Sequence, residues 1–207
     1  MNSLKRVCVY CGASPGRLPV YQQAAQALGA AIARRGLTLV YGGGTVGLMG
    51  AVARAVQEAG GQVIGIIPEA LTQKELSGGV IGELIVVDTM QTRKAQMLAM
   101  GDAFVALPGG FGTLEELFET VAGAQVGLHR KPTGLLNVAG YYEPLLRMVE
   151  QGIQEGFIRP QYRDLLVVEA DPEAILDRLA QHQPPASLIQ WTTPSPSRNQ
   201  HGGGANG

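Results

Sequence analysis

Residues 103–119, AFVALPGGFGTLEELFE, hold the residue types best suited to chemistry in this chain. Three glycines (Gly109, Gly110, Gly112) and Thr113 directly precede two acids, Glu115 and Glu116. An apolar run ending at Pro108 leads in and a helical pattern follows, so the segment reads strand, glycine loop, helix. Glycine lets a backbone approach a ligand closely, and the first amides of a helix point outward unpaired, which suits a phosphate. Glu116, one turn further on, would then stand beside the bound group and could stabilise charge or activate water. The same residues admit a local reading as a capping box: Thr113 caps the helix and Glu116 reaches back to its own backbone. That reading leaves the three glycines unexplained and turns Glu116 away from any substrate.

A cationic pair, Arg93-Lys94, lies in VVDTMQTRKAQMLA at the start of another helical pattern. The helix dipole disfavours cations there, so the placement calls for a nearby anion, either a substrate phosphate or a carboxylate such as Glu116. The planar fork of Arg93 suits such a contact. The plainer alternative is a solvated basic pair beside Asp88. Gly42, Gly43 and Gly44 in LVYGGGTVGLMG form a second loop, and Gly42, Gly44 and Gly47 match G-x-G-x-x-G. A nicotinamide dinucleotide is disfavoured, because that fingerprint should follow the first strand and an acid should end the next one. Here the loop follows the second strand, and Ile66-Ile67-Pro68 stands where the acid belongs. A third loop, CGASPG, carries Ser14, which either donates to a phosphate or ribose or serves a helix-entry turn.

These loops need strands and helices to aim them. Short β-branched runs at 7–11, 37–41, 63–67, 84–87, 104–107, 134–138 and 165–168 read as strands. Helical patterns cover 20–35, 48–59, 92–100, 113–126, 143–152 and 172–179. Residues 72–82, with Ser77-Gly78-Gly79, read as a mobile loop beside the site. Alternating strands and helices predict an α/β fold: a Rossmann-like, doubly wound parallel sheet in a single domain with helices on both faces. The three loops would then face one crevice at the carboxyl ends of the strands. The domain spans 1–181. From 182 to 207 proline, serine and glycine predict a disordered tail, in which Leu188, Ile189 and Trp191 are the residues able to dock.

With 207 residues, the chain can bury a substantial core, and 16 basic against 17 acidic side chains leave no global field to attract nucleic acid. No apolar stretch is long enough to span a bilayer and the first residues lack a signal-peptide pattern, so the expected location is cytoplasmic. Cys8 and Cys11 have redox-motif spacing, but no second pair accompanies them and the three histidines are scattered. Two buried thiols in the first strand are the expectation, with no metal site.

Taken together, the chain resembles the Lonely Guy (LOG) family of cytokinin-activating phosphoribohydrolases, often mislabelled lysine decarboxylases. The resemblance rests on PGGFGTLEE (108–116), matching PGGxGTxxE, and on the Met-x-x-Arg-Lys run from Met90 to Lys94, with CGASPG, LVYGGGTVGLMG, VIGIIPEAL and GLHRKPTGLLNVAGYY. It covers about residues 5–180. It implies hydrolysis of the N-glycosidic bond of AMP or a prenylated AMP, giving free base and ribose 5-phosphate. It further implies Arg93 and Glu116 as catalytic residues, and Gly109, Gly110, Gly112 and Thr113 as the phosphate holders. Ser14, Gly43, Gly44, Met90 and Lys94 complete the expected substrate contacts. No cofactor or metal is implied, and a homodimer is. Glu115, Asp88 and Asp102 are candidates to protonate the leaving base, with solvent as another. Three positions depart from the family: Gln91 replaces a histidine, Gly101 a serine, and Ala122-Gly123 a threonine-tryptophan pair.

Overall fold

The computed structural model describes residues 4–76, 79–183 and 185. The apolar runs form seven strands: β1 (Arg6–Tyr10), β2 (Thr38–Tyr41), β3 (Gln62–Pro68), β4 (Glu83–Val87), β5 (Ala103–Ala106), β6 (Thr133–Leu136) and β7 (Leu166–Glu169). Between and after them run α1 (Pro19–Arg34), α2 (Gly47–Glu58), α3 (Glu69–Glu75), α4 (Met90–Met100), α5 (Phe111–Gln125), α6 (Glu143–Gln154) and α7 (Pro172–Gln181). All strand pairs are parallel, in the order β4-β3-β2-β1-β5-β6-β7. The expected α/β doubly wound sheet is what forms.

Alternation along β1 shows how both faces are covered. Val7 and Val9 point into a core with Leu28 and Ile32 of α1, Val52 and Val56 of α2, and Ile175 and Leu176 of α7. Cys8 and Tyr10 point the other way, toward Met97 of α4, Leu117 of α5 and Tyr142. Cys8 and Cys11 therefore belong to cores on opposite faces, both as free thiols. Burial pushes both thiols well above the usual cysteine range, so neither is a ready nucleophile. Among the described residues no helix is long and apolar enough to cross a membrane.

Two local expectations need correcting. Residues 69–75, most of which read as loop, form α3, because Glu69 favours a helix start and Pro68 ends β3 in an extended conformation. Residues 77–78 of the expected mobile loop lie outside the described residues, as do Leu188, Ile189 and Trp191 of the expected tail. Second, α5 starts at Phe111, two residues before the expected Thr113.

The strand order places a crossing point beside β1. The chain builds outward from β1 to β4, then returns across the sheet to set β5 on the other side of β1. The loops after β1 and β5 are thereby splayed apart, and the crevice between them is where open parallel sheets bind ligands.

Candidate functional site

A cavity of about 490 Å³ fills this crevice. Residues 12–16 after β1, residues 108–110, 112 and 113 after β5, Gly42 after β2 and the first turn of α4 form its walls. Met49, Met90 and Met97 supply an apolar side, and Tyr21 and Tyr141 an aromatic one.

The glycine loop is built by its own crowding. The N-cap of α5 is Gly110, with no side-chain cap, and the first helical bond runs from Leu114 N to Gly110 O at 3.1 Å. The amides of Phe111, Gly112 and Thr113 thus precede the helical ladder. A Cβ on Gly109 would stand 2.1 Å from Thr113 Oγ1, so only glycine lets the buried Thr113 hydroxyl close on the loop. At Gly110 and Gly112 the corresponding space is open, leaving room for a ligand against the backbone.

The capping box does not form. Thr113 is the third residue of α5, and Glu116 lines the cavity instead of returning to the helix start. Among the described residues no hydrogen bond or ion pair engages its carboxylate. Burial lifts its pKa to about 7, against the lowering pull of Arg93; Glu115 adds to the rise, while Lys94 opposes it. A carboxyl that changes charge near neutral pH inside a cleft is suited to proton transfer.

Arg93 is 6% exposed and lines the same cavity. Its Nε donates to Ile66 O at 3.1 Å and its Nη2 to Gly42 O at 2.8 Å, with Nη1 3.7 Å from Met90 Sδ. Of the two anions the sequence left open for it, a substrate phosphate or a carboxylate, the carboxylate is not met: among the described residues no acid lies within ion-pair distance. Carbonyls at the ends of β2 and β3 orient the guanidinium and leave its charge uncompensated, which favours an incoming anion. Gly42 makes this possible, because a Cβ there would lie 1.9 Å from Arg93 Nη2.

Of the remaining expected contacts, Ser14 and Met90 line the cavity. Gly43 and Gly44 do not: a Cβ on Gly43 would meet Ile67, and one on Gly44 would meet Met49 and Glu75. Lys94 also turns away, bridging from α4 to Glu115 and, at 3.0 Å, to Glu119 on α5. Glu115 lines the cavity. Asp102 sits at the opposite end of the strands, accepting from Lys5 N at 3.0 Å and Arg6 N at 2.8 Å, too far to protonate a leaving group in the crevice. Asp88 is exposed outside the lining.

Besides the apolar and aromatic sides, sequence reasoning missed two polar groups of the wall, Glu75 and Tyr141. Glu75 lines the cavity, and among the described residues its buried Oε2 has no hydrogen-bond partner. Its signal was hidden in a segment that reads as loop. Tyr141 donates to Gly109 O and packs edge-on against Tyr21. The family departures fall outside the cavity. Gln91 is exposed, and a Cβ on Gly101 would sit 2.8 Å from Cys8 Cβ. Gly123 faces His129, whose Nε2 lies 3.3 Å from where a Cβ would stand and contacts Thr120 O at 3.0 Å. Neither Ala122 nor Gly123 lines the cavity, and His129 packs against α5 beside Gly123.

A family model described as possible lysine decarboxylase matches residues 49–179. The probable cytokinin riboside 5′-monophosphate phosphoribohydrolase LOGL2 of Oryza sativa subsp. japonica is 48% identical over 92% of this chain and 80% of its own length. The cytokinin riboside 5′-monophosphate phosphoribohydrolase LOG7 of Arabidopsis thaliana is 49% identical over 88% of this chain and 84% of its own. Among solved structures, the molybdenum cofactor binding protein from the phototrophic bacterium Rippkaea orientalis superposes with a TM-score of 0.66 at 23% identity, covering 87% of this chain and 98% of that one, a likeness of fold. With almost half of its residues identical to such enzymes over most of its length, the chain belongs to the Lonely Guy (LOG) family of cytokinin riboside 5′-monophosphate phosphoribohydrolases.

Proposed function

We propose that this protein hydrolyses the N-glycosidic bond of adenosine 5′-monophosphates modified on the exocyclic amine, releasing the free base and ribose 5-phosphate. The observation that carries the reading is one cavity holding three things: the free amides of the glycine loop, the buried and uncompensated Arg93 guanidinium, and the partly buried Glu116 carboxyl. The amides of residues 111–113 and the Thr113 hydroxyl seat the phosphate. Breaking the glycosidic bond builds positive charge on the sugar, and ionised Glu116 stabilises it or takes a proton from the attacking water. Arg93 acts electrostatically, since guanidinium does not give up its proton. Ser14 and the carboxylate of Glu75 supply polar contacts to the sugar or base, and the methionine side accepts an apolar substituent. Gly43, Gly44 and Lys94 act behind this wall, the glycines by close packing and Lys94 by tying α4 to α5.

The chain works as a homodimer in this reading. The outer side of α5 and the turn beyond it leave Phe118, Val126 and Leu128 exposed at 47%, 64% and 79%, a cost in water that a second copy would remove. Free buried thiols fit a cytoplasmic location. The test is to incubate the protein with AMP and with prenylated AMP and to quantify free base. Turnover that disappears in Glu116→Gln with monophosphate binding retained is the expected result. Tight binding without turnover of any monophosphate would replace the enzyme by a nucleotide carrier.

A further inference from the structure

An anion seat made of backbone amides works only if the neighbouring carbonyls are kept out of it. Three successive carbonyls of the β5 loop are each occupied. Leu107 O accepts from Tyr142 Oη at 2.7 Å, Pro108 O from Gly12 N at 3.1 Å, and Gly109 O from Tyr141 Oη. In a trans peptide the carbonyl and the following N–H point in opposite directions. Holding Gly109 O against Tyr141 therefore turns Gly110 N–H the other way.

The two tyrosines are consecutive, and the turn that presents them is the conformational exception of the fold. Ala139, with φ 51°, is the only non-glycine among the described residues in the left-handed region. Such a backbone persists only where its surroundings impose it, and it is a pointer to function. Tyr142 N is held as well, donating to Asn137 Oδ1 at 2.7 Å, while Asn137 Nδ2 donates to Glu143 Oε1 at 2.7 Å. The Tyr141 ring is set by edge contacts to Tyr21 and Tyr142, with centroids 6.0 Å and 5.1 Å away.

We propose that Tyr141 is a positioning residue for the phosphate: its hydroxyl holds the Gly109 carbonyl so that amides, and no free carbonyl, face the anion. The inference rests on the phosphate seat of the residue 111–113 amides described under the proposed function, which the Gly110 amide directly precedes. Tyr141→Phe keeps the ring and its edge contacts and removes only the hydroxyl. Steady-state kinetics should show KM for the monophosphate, and Ki for ribose 5-phosphate, rising together by about tenfold, with kcat within about threefold of wild type. Inhibition by the free nucleoside, which lacks the phosphate, should stay unchanged. An unaltered Ki for ribose 5-phosphate in the variant would overturn the proposal, as would a parallel loss for nucleoside and phosphate ligands, which signals a general loosening. Wild-type protein that binds no ribose 5-phosphate would instead remove the phosphate seat itself. A melting temperature within a few degrees of wild type, measured alongside, separates an altered site from an unfolded one.

Discussion

Glu116→Gln should make the protein inactive and, above neutral pH, more stable. Burial moves the carboxyl from 4.5 to about 7, the largest cause being desolvation. Between those two values the folded protein holds a proton that the unfolded chain has released. Stability therefore falls as pH rises from about 4.5 to about 7 and is flat above. The displacement is worth on the order of 3 kcal/mol as a ceiling, since each pH unit between folded and unfolded values carries about 1.4 kcal/mol. Glutamine is never charged and escapes this cost. Urea unfolding followed by far-UV circular dichroism should give the variant an advantage approaching that ceiling at pH 8 and close to none at pH 4.5. In the same protein kcat should fall by at least about 100-fold, because an amide can neither accept a proton nor compensate a cationic sugar. Wild-type kcat/KM should rise with an acid limb near pH 7. Equal stability changes at both pH values, or a glutamine variant that still turns over, would refute the claim that a desolvated carboxyl does the chemistry.

Four further variants probe the supporting structure. Gly42→Ala drives a methyl to within 1.9 Å of Arg93 Nη2, and the displaced guanidinium should cost about 100-fold in kcat/KM with the circular dichroism spectrum retained. Lys94→Met removes the bridges to Glu115 and Glu119, both more than half exposed, so stability should change by less than about 1 kcal/mol. Because Lys94 lowers the Glu116 pKa and those two acids raise it, the acid limb of the same variant should move to higher pH. Glu75→Gln should raise KM several-fold and leave kcat nearly unchanged if its buried oxygen accepts from the substrate, as steady-state kinetics would show. Phe118→Asp with Leu128→Asp places two charges on the exposed apolar face, and analytical ultracentrifugation should find a dimer for the wild type and monomers for the double variant.

Much of this protein is legible along the chain. Strands β1 to β7 appear where short β-branched runs meet glycine or proline, and their ends fall within two residues of those expected, since side-chain alternation and turn chemistry act over a few neighbours. The PGG loop, its acid and the Arg93 cation are likewise visible as residue types at a spacing. Their arrangement is another matter. Whether Glu116 caps its helix or enters the cavity depended on where α5 begins, which packing of Thr113 against Gly109 decides. Arg93 is oriented by carbonyls 27 and 51 residues away, on strands whose adjacency only the sheet order creates. Glu75 enters the cavity wall from a segment with no strong local signal, and Lys94 leaves it for acids on a neighbouring helix. Local propensity determines which elements form and which chemistry is available. Burial, long-range hydrogen bonds and close backbone approach, all properties of the packed chain, decide which side chains share the cavity and in what state of charge.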